Sequence, residues 1–140
     1  MAEPGWNHVA GPAGEECLFL VTYFHLKHVW HTPGFVRTTG PIVRQVREAE
    51  GLLGYSLRAR PLTKEFWTLA AWDDARMLTR FIGRPPHARA MVDLRPRMRA
   101  FGSHRWTGPA DSVPPPWQEA LARLASTGPA RGERGTPASA

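Results

Sequence analysis

Three histidines at intervals of three residues, His25, His28 and His31, lie in the segment FHLKHVWHTPGF, residues 24–35. Imidazole is a common metal ligand and carries protons readily near neutral pH. In a strand, His28 would point away from the other two, because successive side chains alternate between faces. In a helix, the same spacing spreads the three rings over about 120° of the surface. Neither geometry brings three imidazoles to one ion as a zinc site requires, so we predict a strand end and a loop here, and no metal site.

Three histidines are candidates for proton transfer in a pocket. His25 shares strand parity with Tyr23, and His104 shares it with Trp106, so each pair is expected on one face of a sheet. His87 follows the sequence RPP and opens a helical segment, where the positive end of the helix dipole keeps an imidazole neutral. A neutral imidazole can act as a general base or as a heme ligand. The alternative for each residue is a structural or exposed position.

The sequence also supplies aromatic side chains that can enclose a flat, apolar substrate. The candidate substrate-binding residues are Phe19, Tyr23, Trp67, Trp72 and Trp106, together with Arg105, whose guanidinium suits an anionic or phenolate oxygen. For any one of the aromatic residues the alternative is a place in the ordinary core, and an arginine on a sheet can equally face solvent.

Composition narrows the class of protein. The 140-residue chain has a net charge of +6, yet its arginines are scattered rather than clustered, so we do not expect nucleic-acid binding. A single cysteine, Cys17, rules out an intrachain disulfide and a cysteine metal cluster. The longest apolar run, residues 17–26, is too short to span a bilayer, and the N-terminus lacks the pattern of a signal peptide. The protein is therefore expected to be cytoplasmic.

Four segments have the β-branched and aromatic composition of strands, namely residues 17–26, 54–60, 65–72 and 99–108. Apolar residues at helical spacing predict helices after the first and third strands, and a terminal helix that includes Trp117. We place the start of the first main helix at Pro41, after a short helical piece, because a proline inside a helix costs a hydrogen bond. Asp73 is expected to cap the second helix, and a shorter helical segment should end before Pro96.

This order of elements predicts one folded domain with unstructured ends. Residues 1–15 and 127–140 are rich in small residues and proline and are expected to be disordered. Residues 16–108 form the domain, and residues 109–126 form a proline-rich link and the terminal helix. The order strand, helix, strand, strand, helix, strand predicts an α+β fold, the ferredoxin-like split βαβ with a four-stranded antiparallel sheet and an extra C-terminal helix.

The first and third strands are apolar on both parities, so both faces of the sheet should be buried. The helices between the strands can cover only one face. We therefore predict that a second copy of the sheet covers the other face across a twofold axis, which makes the protein a homodimer and the fold a dimeric α/β barrel.

The segments FWTLAAWDDARMLTRFIGRPPHARAM and FGSHRWTG resemble the dimeric α/β-barrel superfamily over residues 16–108. That group includes antibiotic-biosynthesis monooxygenases, heme-degrading monooxygenases and a spheroidene-monooxygenase-like branch. The resemblance implies a mostly apolar pocket between sheet and helices. The heme-degrading members use an Asn, a Trp and a heme-ligating His. The Trp matches Trp72 and the His matches His87, whereas the only Asn of this chain is Asn7, in the N-terminal segment.

The resemblance implies a monooxygenase-like enzyme that acts on an aromatic or polyene small molecule without a cofactor, in secondary metabolism. His25, His87 or His104 would deprotonate the substrate, and the electron-rich anion would react with dioxygen in a dry pocket. Two alternatives stay open at this point. One is a heme-binding protein of the same fold with His87 as ligand, and the other is a non-catalytic dimer that binds a ligand.

Overall fold

The computed structural model describes residues 5–28 and 32–126. His31 and the predicted disordered tail, residues 127–140, lie outside this range. The described helices and strands are β1 (Asn7–His8), β2 (Glu16–Leu26), α1 (Thr32–Arg47), β3 (Leu52–Arg60), β4 (Glu65–Trp72), α2 (Ala75–Ile82), α3 (His87–Leu94), β5 (Met98–Pro109) and α4 (Trp117–Ser126).

The strands form one antiparallel sheet in the order β1-β3-β4-β2-β5. Without β1 this is the order of the predicted ferredoxin-like fold, so the α+β prediction is confirmed. The additional strand β1 pairs with β3, and the Asn7 side-chain amide donates a hydrogen bond to the Tyr55 carbonyl at 3.2 Å. No strand was expected before residue 16, because two residues are too short to show an alternating pattern.

Helices α1, α2 and α3 pack against one face of the sheet, here called the helix face. Alternate residues of β2 and β4 point to it, as the pleat requires. Trp72, at the end of β4, is 2% exposed, and its ring centroid lies 5.2 Å from that of Phe81 on α2. These contacts belong to an apolar core cluster that also holds Leu20 of β2 and Leu78 of α2.

The opposite face, here called the second face, is covered in part by the chain itself. Helix α4 lies on it and packs Trp117 against Val21 and Leu69. The indole N–H of Trp117 donates a hydrogen bond to Ser56 Oγ on β3 at 3.0 Å. Trp6 packs onto the same face. The expectation that the helices of one chain cover only one face is therefore wrong, and a dimer needs a separate argument.

Two local predictions on the helices also need correction. Helix α1 is continuous from Thr32 to Arg47 and contains Pro41, although we expected the main helix to begin there. Pro41 is exposed, so water can bond the carbonyl that loses its helical partner. The N-cap of α2 is Asp74 rather than Asp73, and its carboxylate accepts a hydrogen bond from the Met77 N–H at 3.0 Å. The Asp73 carboxylate instead accepts from the Ala13 N–H at 3.0 Å.

Candidate active site

A cavity of about 310 Å³ lies between the helix face and helices α1, α2 and α3. Its size falls within the usual range for small-molecule sites. The lining is mostly apolar and includes Leu20, Phe24, Val46, Phe81, Met91 and Phe101. An apolar wall of this kind excludes water and favours a flat, uncharged ligand.

His87 is the titratable imidazole among the described lining residues. It is the first residue of α3, and its ring centroid lies 5.2 Å from that of Phe81. Its Nδ1 atom is buried and has no hydrogen-bond partner within residues 5–28 and 32–126. Burial lowers the pKa of His87 below its usual 6.5, and the Ile82 carbonyl opposes this shift in part. The imidazole is therefore neutral near pH 7 and can accept a proton from a bound molecule.

Gln45 of α1 holds His87 in place through the backbone. The Gln45 side-chain carbonyl accepts a hydrogen bond from the His87 N–H at 3.1 Å. Its amide donates to the Phe81 carbonyl at 3.2 Å and to the Arg84 carbonyl at 3.5 Å. One side chain thus ties the end of α2, the intervening turn and the start of α3 to α1. No local sequence pattern points to Gln45, because its partners lie about 40 residues away along the chain.

Trp72 lines the same cavity. Its indole Nε1 is buried and has no hydrogen-bond partner in the described part of the chain. Trp72, Phe81 and His87 form a continuous row of rings, since Phe81 contacts both of the others. This row gives the cavity wall aromatic rings against which a flat ligand can pack.

Two threonines form a polar point on the sheet side of the cavity. Thr22 of β2 and Thr68 of β4 are directly paired across the strands, and both line the cavity. Their Oγ1 atoms lie 2.5 Å apart and share a hydrogen bond. Strand parity can place both residues on one face, but threonine is not a residue type that by itself indicates a binding site.

Most of the other candidate residues lie on the second face, away from this cavity. They are Phe19, Tyr23, His25, His104 and Trp106. The Tyr23 hydroxyl donates to the Glu65 carboxylate at 2.7 Å, and burial together with this bond raises the pKa of Tyr23. His104 stacks on Trp106 with centroids 6.0 Å apart, and burial, then the charge of Arg123, lowers the pKa of His104.

The remaining two candidates lie near the cavity's borders. Trp67 contributes to the lining where β3 ends and β4 begins, although its ring packs against Tyr23 at a centroid distance of 5.3 Å. Arg105 pairs with Leu20 and so points to the helix face, but it is not among the described residues that line the cavity.

The histidine run does not come together in the described residues. His25 is in β2 and His28 follows the strand, while His31 is outside the described ranges. Among residues 5–28 and 32–126, no three His, Cys, Asp or Glu side chains are placed to hold a metal ion. The absence of a metal site therefore stays a prediction. Within the same residues, no helix has the length and apolar character needed to cross a bilayer.

Comparison with solved structures shows proteins that share this fold. No family model and no curated protein matches the sequence. A "putative monooxygenase" from Fusobacterium nucleatum is 13% identical, with a TM-score of 0.59 over 71% of this chain and 45% of its own. A "putative antibiotic biosynthesis monooxygenase" from Caulobacter crescentus is 16% identical, with a TM-score of 0.58 over 66% and 89%.

SnoaB, a cofactor-independent oxygenase from Streptomyces nogalater, is 16% identical, with a TM-score of 0.50 over 74% of this chain and 100% of its own. The present chain spans less than half the length of the Fusobacterium nucleatum protein. At such identities the likeness shows the fold alone. It confirms, at the level of fold, the resemblance to antibiotic-biosynthesis-monooxygenase-like proteins.

Proposed function

We propose that this protein is a cofactor-free monooxygenase that oxidises an uncharged aromatic or polyene molecule in the cavity, with His87 as general base. The observation that carries the proposal is the position of His87 in the wall of an apolar cavity, where burial lowers the pKa of the imidazole and Nδ1 has no hydrogen-bond partner among the described residues. SnoaB, with the same fold, is a cofactor-independent oxygenase, which supports this class of reaction. The second-face histidines, His25 and His104, have no part in it.

The reaction needs only the substrate, dioxygen and one base. His87 removes a proton from an acidified ring CH₂ group, and the electron pair of that C–H bond delocalises into the aromatic system. The carbanion combines with dioxygen to give a hydroperoxide anion, which takes the proton back from the His87 imidazolium. Loss of water then leaves a carbonyl group, so CH₂ and O₂ become C=O and H₂O. The row formed by Trp72, Phe81 and His87 would hold the ring in a site from which bulk water is excluded.

Oxygen uptake tests the proposal. We expect wild-type protein to consume oxygen with an anthrone-like phenol, and His87→Gln to be slower by roughly 10²–10⁴-fold, as loss of a general base requires. Circular dichroism should show an unchanged fold. His104→Gln is the matched control, because His104 lies on the second face, and it should retain wild-type turnover. Wild-type protein that takes up no oxygen with any such phenol, or His87→Gln with full activity, would contradict the proposal.

Heme is the alternative occupant of the cavity, and the described residues fit it less well. The imidazole of His87 would be the residue that holds the heme iron. The two propionates of heme also need cationic partners. Among the described lining residues the cation is Arg58, whose guanidinium lies over the Trp67 ring at 5.5 Å. The reaction proposed above therefore does not use heme.

We also propose that the protein is a homodimer, which associates through the part of the second face that α4 leaves open. Tyr23, His25 and Trp67 are half-buried there, and Arg58 and Arg60 lie over the Trp67 ring. Aromatic and arginine side chains of this kind are enriched at protein interfaces. A twofold axis would set this surface against its own copy.

A further inference from the structure

The two central strands place two hydroxyl groups where the cavity wall is otherwise apolar. Thr22 is 7% exposed and faces Thr68 directly across β2 and β4. Their neighbours on the same face, Leu20 and Phe24 of β2, are apolar, and so is Phe66 of β4. A hydroxyl pair in such a wall is not needed for packing, since valine has nearly the same shape as threonine.

Counting protons shows what this pair can offer a ligand. Two hydroxyls carry two protons, and only one of them can lie between the two Oγ1 atoms. Within the described residues, neither hydroxyl has another hydrogen-bond partner. β2 and β4 are both flanked by strands on each side, so their backbone carbonyls are engaged in the sheet. The second proton is therefore available to an acceptor inside the cavity.

We propose that Thr22 and Thr68 form a specificity-determining subsite that selects ligands with a carbonyl or phenolic oxygen and donates a hydrogen bond to it. The chemical class recognised is a flat aromatic ketone or phenol. The pair lies on the sheet side of the cavity and His87 on the helix side, so one bound molecule can contact both. This role in selection rests on the cavity alone, whereas the role in the reaction rests on the proposed function.

In the reaction, the subsite stabilises the charge that His87 creates. When the C–H bond breaks, its proton goes to His87 and its electron pair moves through the ring to the oxygen. That oxygen becomes an enolate anion, and no other bond breaks in this step. A donor already aimed at it lowers the energy of the anion, in the manner of an oxyanion hole.

The experiment compares two probes of similar size, anthrone and 9,10-dihydroanthracene, in which a CH₂ group takes the place of the ketone. Binding is measured under argon by quenching of tryptophan fluorescence, so that no turnover occurs. Wild-type protein should prefer anthrone by roughly tenfold, the equivalent of one good hydrogen bond. Thr22→Val with Thr68→Val should bring this preference close to one and leave the affinity for dihydroanthracene unchanged. Both residues are replaced together, because a single change would leave the other hydroxyl free to donate to the ligand.

Control variants show whether the preference depends on this hydroxyl pair. Thr63→Val removes an exposed hydroxyl that donates to the Arg60 carbonyl, and the preference should stay. Thr22→Ser with Thr68→Ser keeps both hydroxyls and should keep the preference. If the double valine variant does not fold, Thr22→Ala with Thr68→Ala, which also removes both hydroxyls, must lower the preference. A preference that survives loss of both hydroxyls, or one that disappears in Trp72→Phe instead, overturns the proposal.

Oxygen uptake in air distinguishes failure of the subsite from failure of the proposed function. A threonine-dependent preference without oxygen uptake supports the subsite and refutes the oxygenase. Oxygen uptake that is independent of both threonines supports the oxygenase and refutes the subsite. Wild-type protein that binds neither probe refutes both.

Discussion

Acid should destabilise the folded protein through His87, and the structure sets an upper limit on the loss of unfolding free energy. Burial holds the pKa of His87 below its usual 6.5, so the unfolded chain binds a proton that the folded chain rejects as the pH falls through about 6.5. The contribution of neutral His87 to the free energy of unfolding is therefore fully present above this pH and is progressively lost below it. If His87 stayed fully neutral in the folded protein, the loss at pH 5.5 relative to pH 8 would be about 1.4 kcal/mol. The Ile82 carbonyl opposes the shift, so the measured loss should be smaller.

Urea unfolding at pH 8 and pH 5.5 measures this loss. His87→Gln should show a smaller decrease in unfolding free energy than wild type, because no imidazole remains to be protonated in the unfolded chain. Contributions from carboxylates, such as Asp74, are common to both proteins and cancel in the difference. His104→Gln is the control. Because His104 is less deeply buried, this variant should keep most of the wild-type decrease. A decrease in His87→Gln equal to that of wild type would refute the neutral imidazole and, with it, the base assigned to the site.

Two further predictions concern the second face. Trp117→Ala should lower the free energy of unfolding, measured by chemical denaturation, by about 3–5 kcal/mol, because it empties a buried site and removes the hydrogen-bond partner of Ser56. The control is Leu62→Ala at an exposed position, which should lower it by less than about 0.5 kcal/mol. An unchanged midpoint for Trp117→Ala would mean that α4 does not cover the sheet. In sedimentation equilibrium, wild type should have twice the 15.6-kDa chain mass and Trp67→Asp the mass of one chain, with Leu62→Asp as control. Monomeric wild type at micromolar concentration would rule out the dimer.

The strands were predictable from sequence because their composition is strongly β-like, and so was the order of elements. The same composition gave no way to predict which face of the sheet borders the cavity. In CLFLVTYFHL both parities are apolar or aromatic, so parity could group His25 with Tyr23 but could not assign the pair to the helix face or the second face. For that reason His25 and His104 entered the list of candidate bases and then fell on the other side of the sheet from the cavity.

His87 and Trp72 were found through the resemblance, and the structure places both in the cavity wall. Gln45, Thr22 and Thr68 were missed for different physical reasons. Gln45 acts through backbone groups of α2 and α3, which no local pattern reveals. A threonine in a strand is ordinary by propensity, and only cross-strand register shows that Thr22 and Thr68 meet.

The position of α4 along the chain has a consequence for synthesis. Every strand of the described sheet precedes α4, so the whole sheet can assemble before residues 117–126 leave the ribosome. Until then, the apolar residues on the second face, such as Val21 and Leu69, lack their helical cover. A nascent chain at this stage has a nearly complete sheet whose second face exposes apolar side chains. Chaperones bind such surfaces, and such surfaces also aggregate at high protein concentration. The interval between the emergence of β5 and that of α4 is therefore a period in which the second face is open to misassembly.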